Sequence, residues 1–107
     1  RGILATTSAP ASPGVTTEAA RACLQDAYGH EPFVHVLDAD QWPRTADVLG
    51  SNSVHLQVAA DQHAGRAVVV SAIDNLVKGA AGQAPQNAKL ALGLPETAGL
   101  TAIGVAP

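Results

Sequence analysis

One stretch constrains the fold more than any other, residues 66–92, which read RAVVVSAIDNLVKGAAGQAPQNAKLAL. It opens with a β-branched apolar run that favours a strand, and after Asp74 it changes to small, helix-forming residues. Gly79 and Gly82 fall in the first turns of this predicted helix, where each costs about 1 kcal/mol relative to alanine. We therefore expect another group close to this backbone, either a tightly packed part of the chain or a flat ligand.

The composition indicates one small domain and excludes several kinds of partner. Of the 107 residues, 47% are hydrophobic and only 3% aromatic, so the core must consist of Ala, Val and Leu. The net charge is −3 and no basic run is present, so nucleic acid is not an expected partner. No apolar stretch approaches the roughly 18 residues of a membrane span. A single Cys cannot form an intrachain disulfide, and we expect a cytoplasmic location.

The N-terminal part predicts a strand followed by an amphipathic helix. Residues 3–8 are β-prone and end in a turn cluster by about Pro10. Thr17 is the predicted N-cap of a helix that continues to Tyr28 and ends at Gly29. The apolar face of this helix has the spacing i, i+3, i+4, i+7 and consists of Ala20, Cys23, Leu24 and Ala27. This face, its cysteine included, is expected in the core.

Three further strands are predicted in the middle of the chain. The segment 33–37 follows a proline, and apolar and polar residues alternate from 54 to 60. A hairpin loop at 61–65 returns the chain over 67–73, which is apolar on both faces and is therefore expected in the centre of the sheet. The order β-α-β-β-β-α predicts an α+β fold with a mixed, largely antiparallel sheet and helices packed on one face.

A second helix is predicted over residues 76–92, and either Asp74 or Asn75 is expected to cap it. Pro85 falls inside this segment. Because proline in a helix interior removes a hydrogen bond and costs about 3 kcal/mol, we expect a kink or break at 82–85.

The end of the chain is punctuated by Gly and Pro. Gly93 is the expected C-terminal stop of the second helix, and residues 94–107 are expected to be irregular. We therefore divide the chain into a domain segment, 1–93, and a tail, 94–107. Since the sequence lacks Met and begins at Arg1, we expect it to be a fragment or a processed piece.

Few residues suggest catalysis or metal binding. No glycine-rich phosphate-binding motif is present, and Cys23 in the middle of a helix has nothing to activate its thiol. His35 and His55 could meet on neighbouring strands, but no third ligand can be named, and His30 and His63 show no ligand spacing. We therefore predict neither a catalytic residue nor a metal site in this chain.

Two segments leave a binding role open. In the segment QWPRT, Trp42 and Arg44 either stack on or clamp an anion, or form an ordinary rim contact. At the start of the second helix, Asn75 can donate and accept hydrogen bonds and Lys78 supplies a cation, with glycines between them. Either a bound ligand or tight packing within the chain could explain the glycines there.

Several segments resemble N-acetyl-γ-glutamyl-phosphate reductases. They are RGILAT, PRTADVLGSNSVHLQV and above all VVVSAIDNLVKGAAGQAPQNAKLALGLPETAGL, and together they cover nearly the whole chain. The family is similar to aspartate-semialdehyde dehydrogenase, with an N-terminal dinucleotide-binding domain and a C-terminal α+β catalytic and oligomerisation domain. Arg44, Thr45, Ser51 and Asn52 match family positions without an assigned role, and Pro85 replaces the usual Val.

The resemblance implies a reaction and a cofactor. The family reduces N-acetyl-γ-glutamyl phosphate to the semialdehyde with NADPH, through a cysteine thioester and a histidine acid/base. Neither Cys23 nor any histidine here matches those motifs, which lie upstream together with the nucleotide-binding loop. The resemblance places Asn75 against the nicotinamide carboxamide, with Lys78, Gly79 and Gly82 as further cofactor-binding residues.

The implied partners are the missing N-terminal cofactor domain, the acyl phosphate substrate and further copies in a homo-oligomer. On this interpretation the chain alone is inactive. The alternative is a non-enzymatic oligomerisation or interaction module of the same fold.

Overall fold

The computed structural model describes residues 1–105 and confirms the predicted order of elements. Within these residues, four strands, two α-helices and one π-helical turn follow one another: β1 Ile3–Pro10, α1 Thr17–Tyr28, β2 Val34–Val36, β3 Val54–Asp61, β4 Arg66–Ile73, the π-helical turn Val77–Ala81 and α2 Gln83–Leu92. No helix of the described residues combines the length and the apolar character that a membrane crossing requires.

The strands form one mixed sheet in the order β1-β4-β3-β2. Strand β4 is antiparallel to β1 and β3 and lies between them, as its apolar sequence predicts, while β2 runs parallel to β3. The predicted α+β fold with a mixed, largely antiparallel sheet is confirmed. Ile3 pairs with Ile73 at one end of the sheet, and Asp61 pairs with Arg66 at the other. We call these the Ile73 end and the hairpin end.

Helix α1 begins with a cap one residue earlier than predicted. The Thr16 hydroxyl accepts a hydrogen bond from the Ala19 backbone N–H at 3.2 Å. The predicted cap, Thr17, turns inward instead, and its hydroxyl accepts from the Ala60 backbone N–H of β3 at 3.0 Å. The assignment of Thr17 as the cap was therefore wrong by one residue, because two threonines in sequence satisfy the same local pattern.

The inner face of α1 also differs from the predicted one. The helix packs against β2 and β3, and Arg21 Nη2 donates to Gln57 Oε1 at 3.1 Å. Cys23, expected in the core, is exposed. Polar contacts with β3 set the rotation of the helix about its axis, and hydrophobic periodicity alone cannot reveal such contacts.

The second helix is broken, but earlier than the predicted 82–85: a π-helical turn, Val77–Ala81, precedes Gly82 and the regular helix α2. Its i→i+5 pattern includes the bond from the Gly82 N–H to the Val77 carbonyl at 2.5 Å. Helix α2 then starts afresh, which puts Pro85 in its first turn, where an N–H would have no helical partner in any case. Gly93 ends α2 with φ 67°, as predicted.

The core is small and much of it is polar. Its apolar side chains with at most 2% exposure are Phe33, Val48, Val58 and Ala72. The buried polar side chains are Ser51, Asn52, Ser53, Gln57, Asp74 and Gln86. Because a buried polar group is costly unless it is hydrogen-bonded, the partners of these residues determine how the elements are held together.

Residues 94–105, the described part of the predicted tail, form neither helix nor strand, as expected. They nevertheless bond to the loop before β3, for example through the Asn52 N–H and the Thr101 carbonyl at 2.8 Å. The expectation for residues 106–107 lies outside the described residues. The division into residues 1–93 and 94–107 remains a prediction.

Candidate functional site

Hydrogen bonds converge on Asp74, where β4 meets the π-helical turn. The side chain of Asp74 is completely buried. Its Oδ1 accepts from the backbone N–H groups of Leu76 at 2.7 Å and Val77 at 3.0 Å. Its Oδ2 accepts from the Gly50 N–H at 2.6 Å and pairs with Arg1 Nη2 at 2.9 Å. Asp74 therefore takes the capping role that the sequence left open between two residues.

The Asp74 carboxyl is held in its ionised form. Burial by itself would raise the pKa of this group. The backbone donors of Gly50, Leu76 and Val77, with the charge of Arg1, outweigh burial and lower the pKa to about 2. The carboxylate thus fixes the start of the π-helical turn to the loop at Gly50.

Asn75, the first predicted cofactor-binding residue, lies half-buried beside this carboxylate. Its Oδ1 accepts a hydrogen bond from the Gly2 N–H at 2.7 Å. Among residues 1–105, no group bonds to Asn75 Nδ2. One side of the carboxamide is therefore tied to the chain, and the other can serve a ligand at the entrance of the turn.

Lys78, the second predicted residue, turns into the chain. Its Nζ donates to Gln86 Oε1 at 2.7 Å and lies 6.0 Å from the centre of the Phe33 ring. Burial lowers the pKa of the Lys78 ammonium, and the charges of Glu96 and Glu31 oppose this effect. The ammonium is therefore engaged internally, and the side chain would have to swing outward to touch a cofactor.

The two predicted glycines differ in what surrounds them. A Cβ at Gly82 would overlap Asn52 Oδ1 and lie 2.8 Å from Val77 Cγ1, so close packing accounts for glycine there. A Cβ at Gly79 would lie 3.3 Å from the Asp74 carbonyl oxygen and 3.9 Å from Asn75 Cβ, which is tight but not blocked. Of the two alternatives left open by the sequence, packing applies to Gly82, and Gly79 flanks the Asn75 side chain.

A second buried network joins the loop before β3 to α2. Asn52 Nδ2 donates to Gln86 Oε1 at 2.7 Å, and Gln86 Nε2 donates to Glu96 Oε1 at 2.5 Å. Gln86 and Glu96 were not predicted from the sequence, since no spacing pattern marks contacts between such separate segments. Ser51 also has a partner within the chain, because its hydroxyl donates to the Val48 carbonyl at 2.9 Å.

The segment QWPRT borders an open cavity of about 440 Å³, lined by Leu37, Gln41, Trp42, Arg44, Asp47 and His55. Arg44 and Asp47 form a bidentate ion pair, in which Nε donates to Oδ2 at 2.9 Å and Nη2 donates to Oδ1 at 2.6 Å. This pairing raises the pKa of Arg44 and lowers that of Asp47. Because the guanidinium charge is already matched, the rim-contact alternative fits Arg44 better than an anion clamp.

His35 and His55 meet across β2 and β3, as the sequence suggested. They are register partners, and their ring centroids lie 5.5 Å apart in an edge-to-face arrangement. His55 Nδ1 is buried and has no hydrogen-bond partner among residues 1–105. Burial, followed by the neighbouring His35, lowers the pKa of His55. Within the described part of the chain, no group of three His, Cys, Asp or Glu side chains is placed to hold a metal ion.

Comparisons with known proteins agree with the resemblance seen in the sequence. A family model described as semialdehyde dehydrogenase, dimerisation domain, matches residues 1–75. The chain is 64% identical to the N-acetyl-gamma-glutamyl-phosphate reductase of Acidothermus cellulolyticus and 62% identical to that of Streptomyces coelicolor, in each case over all 107 residues. These matches cover 31% of each relative, so the chain spans about a third of the length of the curated relatives it matches.

Proposed function

Since this chain belongs to the semialdehyde dehydrogenase dimerisation-domain family, we propose that it is the C-terminal catalytic and oligomerisation part of an N-acetyl-γ-glutamyl-phosphate reductase. The identity of 64% with such a reductase over the entire chain carries the proposal. The proposed reaction is the NADPH-dependent reduction of N-acetyl-γ-glutamyl phosphate to N-acetylglutamate semialdehyde through a thioester, in the cytoplasm. The nucleophile and the nucleotide-binding domain come from the rest of the reductase.

Within this reaction the chain binds and orients the cofactor. NADPH supplies the hydride when it is bound. Asn75 presents Nδ2 to the nicotinamide carboxamide, and Gly79 flanks the Asn75 side chain, since a Cβ at Gly79 would lie 3.9 Å from Asn75 Cβ. Lys78 and Gly82 stabilise the same turn. Lys78 does so through its hydrogen bond to Gln86, and Gly82 through its close packing against Asn52.

The proposed partners of the chain are the N-terminal cofactor domain and a second copy of the protein. All eight residues of β1 are exposed, and β1 is an edge strand of the sheet. Its free backbone edge carries no Lys or Arg to discourage pairing, which supports association with another chain or domain. A homo-oligomer is therefore part of the proposal.

A chimeric enzyme tests the proposed function. In it, these 107 residues replace the matching segment of the Acidothermus cellulolyticus reductase. We expect the chimera to consume NADPH with N-acetyl-γ-glutamyl phosphate at a rate within about tenfold of the parent enzyme, a barrier difference of about 1.4 kcal/mol. The 107-residue chain alone should show no consumption. A folded but inactive chimera, or activity of the chain alone, would contradict the proposal.

The second candidate is a non-enzymatic oligomerisation module. The match of residues 1–75 to a dimerisation domain and the exposed β1 favour it. Sedimentation of the chain with and without NADPH separates the two candidates when it is combined with the chimera. A stable oligomer that ignores NADPH, together with an inactive chimera, supports the module, whereas an active chimera excludes it as the sole function.

A further inference from the structure

We propose that Gly2 is a positioning residue that sets the polarity of the Asn75 carboxamide, that is, which of its ends, Oδ1 or Nδ2, faces a ligand. The entrance of the π-helical turn then offers a hydrogen-bond donor and takes a ligand group with a carbonyl oxygen. The inference rests on the proposed function in one respect, namely that Asn75 contacts the nicotinamide part of the cofactor.

The polarity of Asn75 follows from what its partner can do. A backbone N–H can only donate, so the side-chain atom 2.7 Å from the Gly2 N–H must be the amide oxygen. The amide orientation is thereby fixed, although an asparagine oxygen and nitrogen have nearly the same shape. Because the Gly2 N–H holds Oδ1 toward the chain and no group of residues 1–105 bonds to Nδ2, the two N–H groups of Nδ2 are what the side chain presents to a ligand.

Gly2 is itself held in place through its two neighbours in the sequence. Pairing of Ile3 with Ile73 sets the start of β1 beside the end of β4, and Arg1 Nη2 anchors it to Asp74 at 2.9 Å. Gly2 has φ 102°, and a Cβ there would lie 2.6 Å from Thr45 Cβ. Glycine is therefore required to bring the N–H to this point.

The consequence concerns how a nicotinamide carboxamide lies against Asn75. Its carbonyl oxygen faces Nδ2, and its own NH₂ group points away from Asn75. A ligand that offers only donors at this position would leave the N–H groups of Nδ2 without a partner, which is unfavourable in a half-buried site.

One pair of variants of the chimera tests the positioning role. Gly2→Ala forces a side chain against Thr45, whereas Gly14→Ala is a matched control with φ 80° and nothing within 4 Å. We expect Gly2→Ala to weaken NADP⁺ binding roughly tenfold, the scale of one lost hydrogen bond, without changing the KM for the acyl phosphate. Gly14→Ala should leave both unchanged. Equal effects of the two variants would overturn the role of Gly2.

A cofactor analogue tests the polarity without altering Gly2, so the inference stays testable even where Gly2→Ala does not fold. The 3-acetylpyridine analogue of NADP⁺ keeps the carbonyl oxygen and replaces the amide nitrogen by a methyl group. If Asn75 donates to the carbonyl, Asn75→Ala weakens binding of NADP⁺ and of the analogue by the same factor. A variant that weakens NADP⁺ but not the analogue would overturn the inference while leaving the proposed site intact. If Asn75→Ala leaves NADP⁺ binding unchanged, the proposed cofactor site itself is wrong.

Discussion

The two ends of the sheet both place an aspartate and an arginine near each other, but in different surroundings. At the Ile73 end, the Asp74 side chain is completely buried and accepts three backbone hydrogen bonds as well as the Arg1 ion pair. At the hairpin end, Asp61 and Arg66 are exposed partners in strand register, and Asp61 accepts from the Ala64 N–H while Arg66 donates to Ser8. A buried carboxylate whose removal leaves several donors without an acceptor should therefore contribute more free energy than an exposed one.

The largest expected effect comes from removing the buried carboxylate. Asp74→Ala leaves the N–H groups of Gly50, Leu76 and Val77 without their acceptor and Arg1 without its partner. We expect a loss of about 3–5 kcal/mol in the free energy of unfolding, measured with urea on the 107-residue chain.

The matched control lies at the hairpin end. Asp61 is exposed, and its Oδ1 accepts from the Ala64 N–H at 2.9 Å. Asp61→Ala should cost less than about 1 kcal/mol, since water replaces the carboxylate as acceptor. If the two variants lose equal free energy, burial does not distinguish the two ends of the sheet.

Acid should destabilise the Ile73 end, as Asp74→Ala does, because it protonates the Asp74 carboxylate. The folded pKa of Asp74 is about 2, against an ordinary value of 3.8. A depressed carboxyl pKa contributes stability that is complete above the unfolded pKa, and this contribution disappears as the pH falls from about 4 to about 2. This contribution is on the order of 2 kcal/mol.

The test of this pH dependence compares unfolding curves between pH 5 and pH 2. Asp74→Asn should be less sensitive to acid over this range than the unmodified chain, whereas Asp61→Asn should retain the full loss. If Asp74→Asn and the unmodified chain lose stability in parallel, the pKa of Asp74 is not depressed in the folded state.

Local sequence patterns were enough to predict most of the sheet but not the contacts between elements. The strands, the hairpin, the central position of β4 and the stop at Gly93 depend on alternation and on turn residues, which lie close together in the sequence. The inner face of α1 depends on Thr17 and Arg21, whose partners lie 43 and 36 residues away. A pattern within one helix carries no information on such partners, which is why Cys23 was wrongly expected in the core.

The next effect, about 2 kcal/mol, separates the two glycines of the Ile73 end. Gly82 has an ordinary helical backbone with φ −78°, so alanine would be stabilising if there were room. Because the new methyl group would overlap Asn52 Oδ1, we expect Gly82→Ala to destabilise the chain instead. Gly79→Ala, whose nearest neighbour is the Asp74 carbonyl oxygen at 3.3 Å, should change the unfolding free energy by less than about 1 kcal/mol. A stabilised Gly82→Ala would show that packing does not explain this glycine.

The candidate site was predictable only in part for a similar reason. The family resemblance and the position at the start of the helix both indicated Asn75. For the two glycines, the sequence did not decide between close packing within the chain and a bound ligand. Gly2 was missed because its partner, Asn75, lies 73 residues away in the sequence. Gln86 was missed because its partner, Asn52, lies 34 residues away. The residues that orient the site come from distant segments, whereas those that would touch a ligand lie within one short motif.

The smallest expected effect is the loss of stability in Arg66→Ala, which is compared with that in Arg1→Ala. Arg66 Nε donates to Ser8 Oγ at 2.6 Å, and Nη2 donates to the Ser8 carbonyl at 3.1 Å, both in exposed positions. Arg66→Ala should therefore lower the free energy of unfolding by less than about 0.5 kcal/mol. Arg1→Ala should cost more, because it removes the cation that faces the buried Asp74 carboxylate. Thermal unfolding of both variants decides the point, and a larger loss for Arg66→Ala would reverse the order of the two ends of the sheet.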